Sequence, residues 1–323
     1  MSEAPVVLEA RNLDLHYPLP KNRVVRAVSN VDLELRRGET LALVGESGCG
    51  KSSLSRALMR LEKPTGGTVT LQGEDITRIS GEALRQKRRQ IQMIFQDPYT
   101  SLDPRMTARQ IIREPLDNFG IESSRARDGR VFELLDRVGL SERFAGRYPH
   151  ELSGGQRQRL GIARALAVHP TVLIADEPVS ALDVSVRAQV INLLADIQAE
   201  QELSILFISH DLGVVSHISE RVAVMYLGRI VEIGPTEKLM TAPAHPYTRA
   251  LLDAVPVAHP RDRRQRVPLA GDPPSPIDLP RGCAFQARCP LVQPACRAET
   301  PKLSAAKDNH FVACIHAGAH LQE

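Results

Sequence analysis

Val31, Leu33 and Leu35 alternate with Asp32 and Glu34, the two-residue period of a half-buried strand. The run TLALVG at 40–45 is continuously apolar, as in a strand covered on both faces, and it ends in a glycine-rich turn. The pattern then predicts a helix over roughly 51–62 and a strand at 91–95, IQMIF. A helix-rich stretch with few strand signals follows from about 107 to 168. VLIAD at 172–176 reads as a second fully buried strand. A helix over about 184–201, a strand at 205–209 (ILFIS) and a strand at 221–226 complete the alternation. Alternating buried strands and helices predict a doubly wound α/β domain interrupted by a helical insertion.

The pattern changes near residue 242. Twelve of the 23 prolines fall between Pro243 and Pro301. Each proline fixes φ and removes a backbone donor, so that density disfavours long helices and central strands. The expected organisation is a body over 1–242 and an irregular extension over 243–323. With 323 residues, 42% hydrophobic and 24% charged, the chain has enough apolar material for a sizeable core. A net charge of +3 gives no electrostatic case for a nucleic-acid partner, and 4% aromatics with no tryptophan supply no stacking platform. No run of 18 apolar residues predicts a membrane span. Residues Met1–Ala10 lack the basic and apolar pattern of a secretory signal, so a cytosolic location is expected.

Two motifs carry chemistry. Gly45-Glu46-Ser47-Gly48-Cys49-Gly50-Lys51-Ser52 matches G-x-x-x-x-G-K-[ST] between a predicted strand and a predicted helix. Glycines allow successive backbone N–H groups to form a nest for phosphate oxygens, and the helix N-terminus adds positive potential. Lys51 can neutralise the terminal phosphates and the Ser52 hydroxyl can ligate Mg²⁺. Cys49 reads as a small filler, since nothing places a base beside it. The second motif is Asp176-Glu177, at the carboxyl end of a buried strand. Asp176 is expected to hold Mg²⁺ and Glu177 to orient or deprotonate the attacking water. Taken alone, the pair could simply cap the next helix.

Leu152-Ser153-Gly154-Gly155-Gln156 lies between these motifs and resembles the signature of ABC-type ATPases. The other marks of that family follow in order: Gln96 in IFQDP, Ser180-Ala181-Leu182-Asp183, and His210 in FISHD. The resemblance implies a P-loop NTPase cassette: a RecA-like α/β core, an antiparallel β subdomain and a helical subdomain inserted over about 97–168. It implies ATP held by Gly45–Ser53, with Tyr17 stacking on adenine, Gln96 sensing the γ-phosphate and reaching Mg²⁺, and His210 contacting the γ-phosphate. It also implies a head-to-tail pair of cassettes. Ser153, Gly154, Gly155 and Gln156 of one, with Asp183 close by, then face the nucleotide of the other. Lys51, Glu177 and His210 are the expected catalytic residues.

The C-terminal part narrows the branch. His245-Pro246-Tyr247-Thr248-Arg249-Ala250-Leu251-Leu252 and GCAFQARCP at 282–290 are similar to the ATP-binding subunits of bacterial dipeptide and oligopeptide importers. That resemblance implies a second, non-identical ATPase subunit, two permease subunits, an extracytoplasmic peptide-binding protein and a peripheral location on the cytoplasmic face of the inner membrane. A related importer of nickel, glutathione or another small solute is the alternative, and a soluble nucleic-acid-linked ABC ATPase a more distant one. A permease helix is expected to dock on the helical insertion near Asp97-Pro98-Tyr99, Met106 and Pro115, with Ile111 and Leu116; a self-contained helical core accommodates the last two equally well. Cys283, Cys289, Cys296 and Cys314 cluster near the C-terminus with spacings unlike a zinc ribbon. Four thiolates in a proline-rich loop suit a [4Fe–4S] cluster, and the resemblance carries to all four positions. Zinc, joined by His310 or His316, and no metal at all are the alternatives.

Overall fold

The computed structural model describes residues 4–254, 271–272, 274–307 and 309–317. In chain order the strands and helices are β1 (Val6–Leu19), β2 (Arg23–Arg36), β3 (Thr40–Val44), α1 (Lys51–Leu58), β4 (Gly66–Leu71), β5 (Glu74–Asp75), α2 (Gly81–Gln90) and β6 (Ile91–Ile94). The helical stretch holds α3 (Pro98–Ser101), α4 (Ala108–Phe119), α5 (Ser124–Arg137) and α6 (Gly154–Leu166). Then come β7 (Val172–Asp176), α7 (Val184–Gln201), β8 (Ser204–Ser209), α8 (Leu212–Ile218), β9 (Arg221–Tyr226), β10 (Arg229–Pro235), α9 (Thr236–Thr241), α10 (Pro246–Asp253), β11 (Ser304–Lys307) and β12 (His310–Val312).

The chain forms two compact units that interleave along the sequence. One comprises residues 1–8, 35–39 and 70–208; the other comprises 9–34, 40–69 and 209–323. In the first unit β6, β7 and β8 are parallel, with Ile94 opposite Ala175 and Asp176 opposite Ile208. Every residue of β7 and β8 is buried, as their unbroken apolar runs require. The helical stretch packs on itself. Ile111, Ile112 and Leu116 of α4 meet a core that includes Val131, Leu134 and Leu135 of α5 and Leu160 of α6, all at most 1% exposed. Ile111 and Leu116 therefore belong to the interior of the helical layer and do not line a surface groove. Of the other docking residues expected there, Tyr99 is exposed, with the Arg157 guanidinium 3.8 Å above its ring. The basic run Arg85–Arg89 lies on α2, where Lys87 pairs with Glu74 and Arg85 with Glu82.

In the second unit β3 runs parallel to β9, with Val44 opposite Val224, and β9 turns back into β10 through Leu227 and Gly228. The proline-rich extension is not wholly irregular. Its β12 pairs antiparallel with β10, and β11 pairs with β12. The fully buried Glu232 carboxylate on β10 fastens that arrangement. It accepts the backbone N–H groups of Ala244 at 2.7 Å and His245 at 3.0 Å, and lies 2.7 Å from His310 Nε2. A buried carboxylate is tolerable only when its lone pairs are satisfied in this way. No helix among the described residues is long and apolar enough to cross a membrane.

Candidate nucleotide site

The phosphate loop leaves β3 at Val44 and enters α1 at Lys51. Its glycines are forced by crowding as well as by conformation. A Cβ on Gly45 meets Met225 O at 2.2 Å, and one on Gly50 meets Ala27 O at 2.1 Å. Gly50 also has φ +108°, a region closed to L side chains. The Gly228 N–H donates to Cys49 O at 2.8 Å, so the β9–β10 turn pins the loop from below. Lys51 is buried and its ammonium donates to the carbonyls of Gly45 at 2.8 Å and Glu46 at 3.0 Å. It thus waits folded against the loop that would receive a phosphate. Ser52 and Ser53 occupy the first turn of α1. Buried Cys49 has its thiol pKa raised by desolvation, which the nearby Lys51 only partly offsets, consistent with a filler. Tyr17, on β1, donates its hydroxyl to Glu62. His210 and Asp211 share a cavity of about 290 Å³ with Val44, Gly45, Leu212, Leu251 and Ala254. His210 therefore lies beside the start of the phosphate loop within one unit.

In the other unit Asp176 ends β7, only 5% exposed. Glu177 follows with φ +46°, a left-handed conformation that costs a non-glycine residue about 1–3 kcal/mol. Its backbone is over-determined: its N–H donates to Ile208 O at 3.0 Å, and its carbonyl accepts the Ser180 hydroxyl at 3.1 Å. Gln96 Nε2 donates to Glu177 Oε2 at 3.0 Å, so the structure brings these two expected residues together. Metal chemistry fits Asp176: Mg²⁺ commonly takes one or two protein oxygens and completes its shell with water and phosphate.

In the same unit Ser153 caps α6. It accepts the Gln156 N–H at 3.3 Å, and Gln156 Oε1 accepts the Ser153 N–H at 2.9 Å, a reciprocal capping box. Ser153 is exposed. Gly155 is required because a Cβ there meets Val186 Cγ1 of α7 at 2.4 Å. Asp183, exposed at the N-cap of α7, makes no side-chain cap bond.

The [4Fe–4S] expectation finds no support in this geometry. Cys283, Cys289, Cys296 and Cys314 are all free thiols and are near neighbours; the Cys283 N–H donates to Cys296 O at 2.8 Å. Yet among the described residues no group of three or more His, Cys, Asp or Glu side chains is arranged to hold a metal ion. Burial raises the Cys283 and Cys289 thiols and pushes Cys314 up to about 11 in the metal-free chain. The sulfurs of Cys296 and Cys314 accept the backbone N–H groups of Gln293 and His316, each at 3.4 Å. The same finding applies to zinc with His310 or His316, and His310 lies against Glu232.

Two residues that sequence reading did not assign to the site touch the phosphate loop. Tyr247 accepts the Glu46 N–H at 2.9 Å, and Arg288 forks the Glu46 carboxylate at 2.7 and 2.9 Å. Tyr247 is legible only as part of the HPY motif. Arg288 carries no signal of its own beyond lying among the cysteines.

Comparison with known proteins bears on the family and the fold. Residues 28–180 match the ABC transporter family, and residues 231–296 match the oligopeptide/dipeptide transporter C-terminal region. The chain is 55% identical over 97% of its length to the probable peptide ABC transporter ATP-binding protein y4tS of Sinorhizobium fredii, covering 90% of that protein. It is 51% identical over 95% of its length to the oligopeptide transport ATP-binding protein AppF of Bacillus subtilis, covering 96% of it. Among solved structures it resembles the ATP-binding cassette MJ0796, a dimer bound to ADP and Pi, at 31% identity and TM-score 0.66, over 71% of this chain and 98% of that one. CbiO1 of Clostridium perfringens gives the same TM-score at 27% identity, over 75% of this chain and 92% of its own. At 55% and 51% identity over nearly its whole length to the Sinorhizobium fredii and Bacillus subtilis transport proteins, the chain belongs to the ABC transporter ATP-binding family, in the branch that carries the oligopeptide/dipeptide transporter C-terminal region.

Proposed function

We propose that this chain binds Mg²⁺–ATP and hydrolyses it to drive import of dipeptides or oligopeptides across the cytoplasmic membrane. The observation that carries the hydrolytic part is Glu177, held in a left-handed conformation beside Asp176 with Gln96 on its carboxylate. The peptide part is supported by the relatives at 51–55% identity, which are described as peptide or oligopeptide transport proteins, and by the C-terminal region match.

In this reading the N–H groups of the phosphate loop and Lys51 hold the phosphates, Tyr17 stacks on adenine, and Ser52, Asp176 and Gln96 are the protein ligands of Mg²⁺. The metal, when bound, neutralises charge on the phosphate oxygens. Glu177 positions and deprotonates the attacking water, and His210 donates to the γ-phosphate. Gln96 links the nucleotide to the helical layer that follows it. The exposed start of α6, with Ser153, Gly154, Gly155 and Gln156, presents N–H groups to the γ-phosphate held by a second ATPase subunit, and Asp183 lines that junction. Hydrolysis removes the bridging charge and releases the pair. Two permease subunits, an extracytoplasmic binding protein and a peripheral position at the cytoplasmic face of the membrane complete the assembly.

The test is ATPase activity of the reconstituted transporter. Peptide-loaded binding protein stimulates hydrolysis, EDTA abolishes it, and Glu177→Gln lowers it at least about 100-fold while ATP binding persists. Normal hydrolysis by Glu177→Gln overturns the assignment of Glu177; stimulation by nickel or glutathione and not by peptides replaces the substrate.

A further inference from the structure

The phosphate loop carries an acidic side chain, Glu46, where a triphosphate would bring several negative charges. A bare carboxylate there opposes nucleotide binding by Coulomb repulsion, strongest where water is partly excluded. The structure does not leave it bare. Arg288 donates Nη1 to Glu46 Oε2 at 2.7 Å and Nη2 to Oε1 at 2.9 Å. Such a fork–fork pair fixes direction as well as charge. The Arg288 side chain is 4% exposed against 28% for Glu46, so the cation is the buried partner and the carboxylate lies at the rim.

A second contact holds the same residue by its backbone. The Tyr247 hydroxyl accepts the Glu46 N–H at 2.9 Å. Tyr247 is fully buried and wedged between Tyr226 at 4.6 Å and Phe285 at 5.4 Å between ring centroids. Desolvation raises its hydroxyl far above the usual phenol range, so it stays neutral and adds no charge to the loop. Phe285 and Arg288 lie in the same short loop, between Cys283 and Cys289. Leu251 and Ala254, at the end of α10, wall the cavity beside Gly45 and His210. The extension thus meets the loop at a side chain, a backbone amide and a cavity wall, all through residues far away in sequence.

We propose that the C-terminal extension sets nucleotide affinity through Glu46. Arg288 cancels the charge at the mouth of the phosphate cradle and Tyr247 fixes the loop backbone, both as positioning residues. The inference rests on the nucleotide-binding reading above and deepens it. A purely structural tie makes a different prediction, because a tie is lost equally whichever partner is removed, whereas a charge uncovered by losing Arg288 can be removed in turn.

The experiment is calorimetric titration of the full-length chain with Mg²⁺–ADP, at low and moderate salt. Arg288→Gln exposes the carboxylate and weakens binding about tenfold, more at low salt. Adding Glu46→Gln to that variant restores affinity to within about threefold of wild type. Arg288→Lys, which keeps the charge and loses the fork, gives an intermediate loss and serves if Arg288→Gln does not fold. Tyr247→Phe removes the acceptor alone and weakens binding several-fold with little change in salt dependence. Wild-type binding with an unaltered Arg288→Gln, or a double variant no better than the single, overturns the inference and leaves the nucleotide reading standing. Absence of wild-type binding overturns both.

Discussion

The phosphate loop and the start of α6 are both glycine-containing turns that open a helix, yet they are built in opposite ways. The loop is shaped by distant contacts: Ala27 O and Met225 O crowd its glycines, Gly228 pins Cys49, and Arg288 reaches Glu46 across 242 positions. The α6 start is shaped by neighbours: Ser153 and Gln156 cap each other three residues apart, and α7 packs on Gly155. A turn fixed by tertiary contacts has its backbone donors pre-organised before any ligand arrives. A turn fixed by its own box needs no such support and can present an exposed first turn, as suits a surface meant for another molecule.

The largest effect should therefore fall on the phosphate loop. Gly50→Ala combines a left-handed φ of +108° with a Cβ 2.1 Å from a backbone oxygen that cannot move aside. Strain and overpacking together cost about 2–6 kcal/mol, and nucleotide binding is lost with it. Gly48→Ala is the control: its φ is +77° but no atom lies within 4 Å of a Cβ. It pays for conformation alone, about 1 kcal/mol. Urea unfolding of the two variants checks this. Equal losses would show that the loop is held by backbone conformation, without the crowding described here.

That contrast also divides what the sequence reveals. The runs at 172–176 and 184–201 predict β7 and α7 with the bounds found: β7 is apolar and buried throughout, while α7 buries only the narrow stripe Val190, Leu194 and Ile197. The alternation at 31–35 marks only the second half of β2, since the burial of Arg23–Ala27 is irregular. The predicted helix to residue 62 ends at Leu58, where Arg60 turns left-handed. The strands β11 and β12 are only four and three residues long and carry no clear alternation, and they form because β10 offers an edge to pair with. At the candidate site, the phosphate loop and Asp176-Glu177 were legible from spacing and flanking elements, and Ser153 only through the resemblance carried by Leu152–Gln156. Arg288 was not, because its partner is 242 residues away and a lone arginine has no period. The cysteines were legible as a cluster in sequence, but among the described residues no three of them, with or without His, Asp or Glu, are arranged to hold a metal ion.

In the helical unit the matching test is Gly155→Ala. Its Cβ would lie 2.4 Å from Val186 Cγ1, a side-chain methyl, so the collision costs about 1–3 kcal/mol and is relieved by adding Val186→Ala. Failure of that rescue would mean that α7 does not set the position of the signature turn. The extension has its own probe in His245, which is 1% exposed and has its pKa lowered to about 4 by desolvation, against the pull of Glu232. The unfolded chain takes up this proton near pH 6.5 and the folded one only near 4, so stability drains as pH falls between those values. At pH 5 the loss from this residue is about 2 kcal/mol. His245→Asn, which keeps an acceptor for the Tyr247 N–H, should flatten that part of the acid limb; an unchanged limb would place the proton uptake elsewhere.

The smallest expected effect on stability is at the cap itself. Ser153 is exposed, so Ser153→Ala opens no cavity and removes only one acceptor for the Gln156 N–H, a loss of about 1 kcal/mol. Because Gln156 answers with its own bond to the Ser153 N–H, the two halves of the box support one another, and Ser153→Ala with Gln156→Ala should cost less than the two single changes added together. The functional effect has a different size. If the hydroxyl also meets the nucleotide of a second subunit, Ser153→Ala lowers ATPase activity of the assembled transporter far more than 1 kcal/mol of stability explains, while nucleotide binding by the isolated chain is untouched. Equal ATPase activity in wild type and Ser153→Ala transporters would reduce this residue to a helix cap, and would mean that the solvent-facing turn earns its exposure for some other reason.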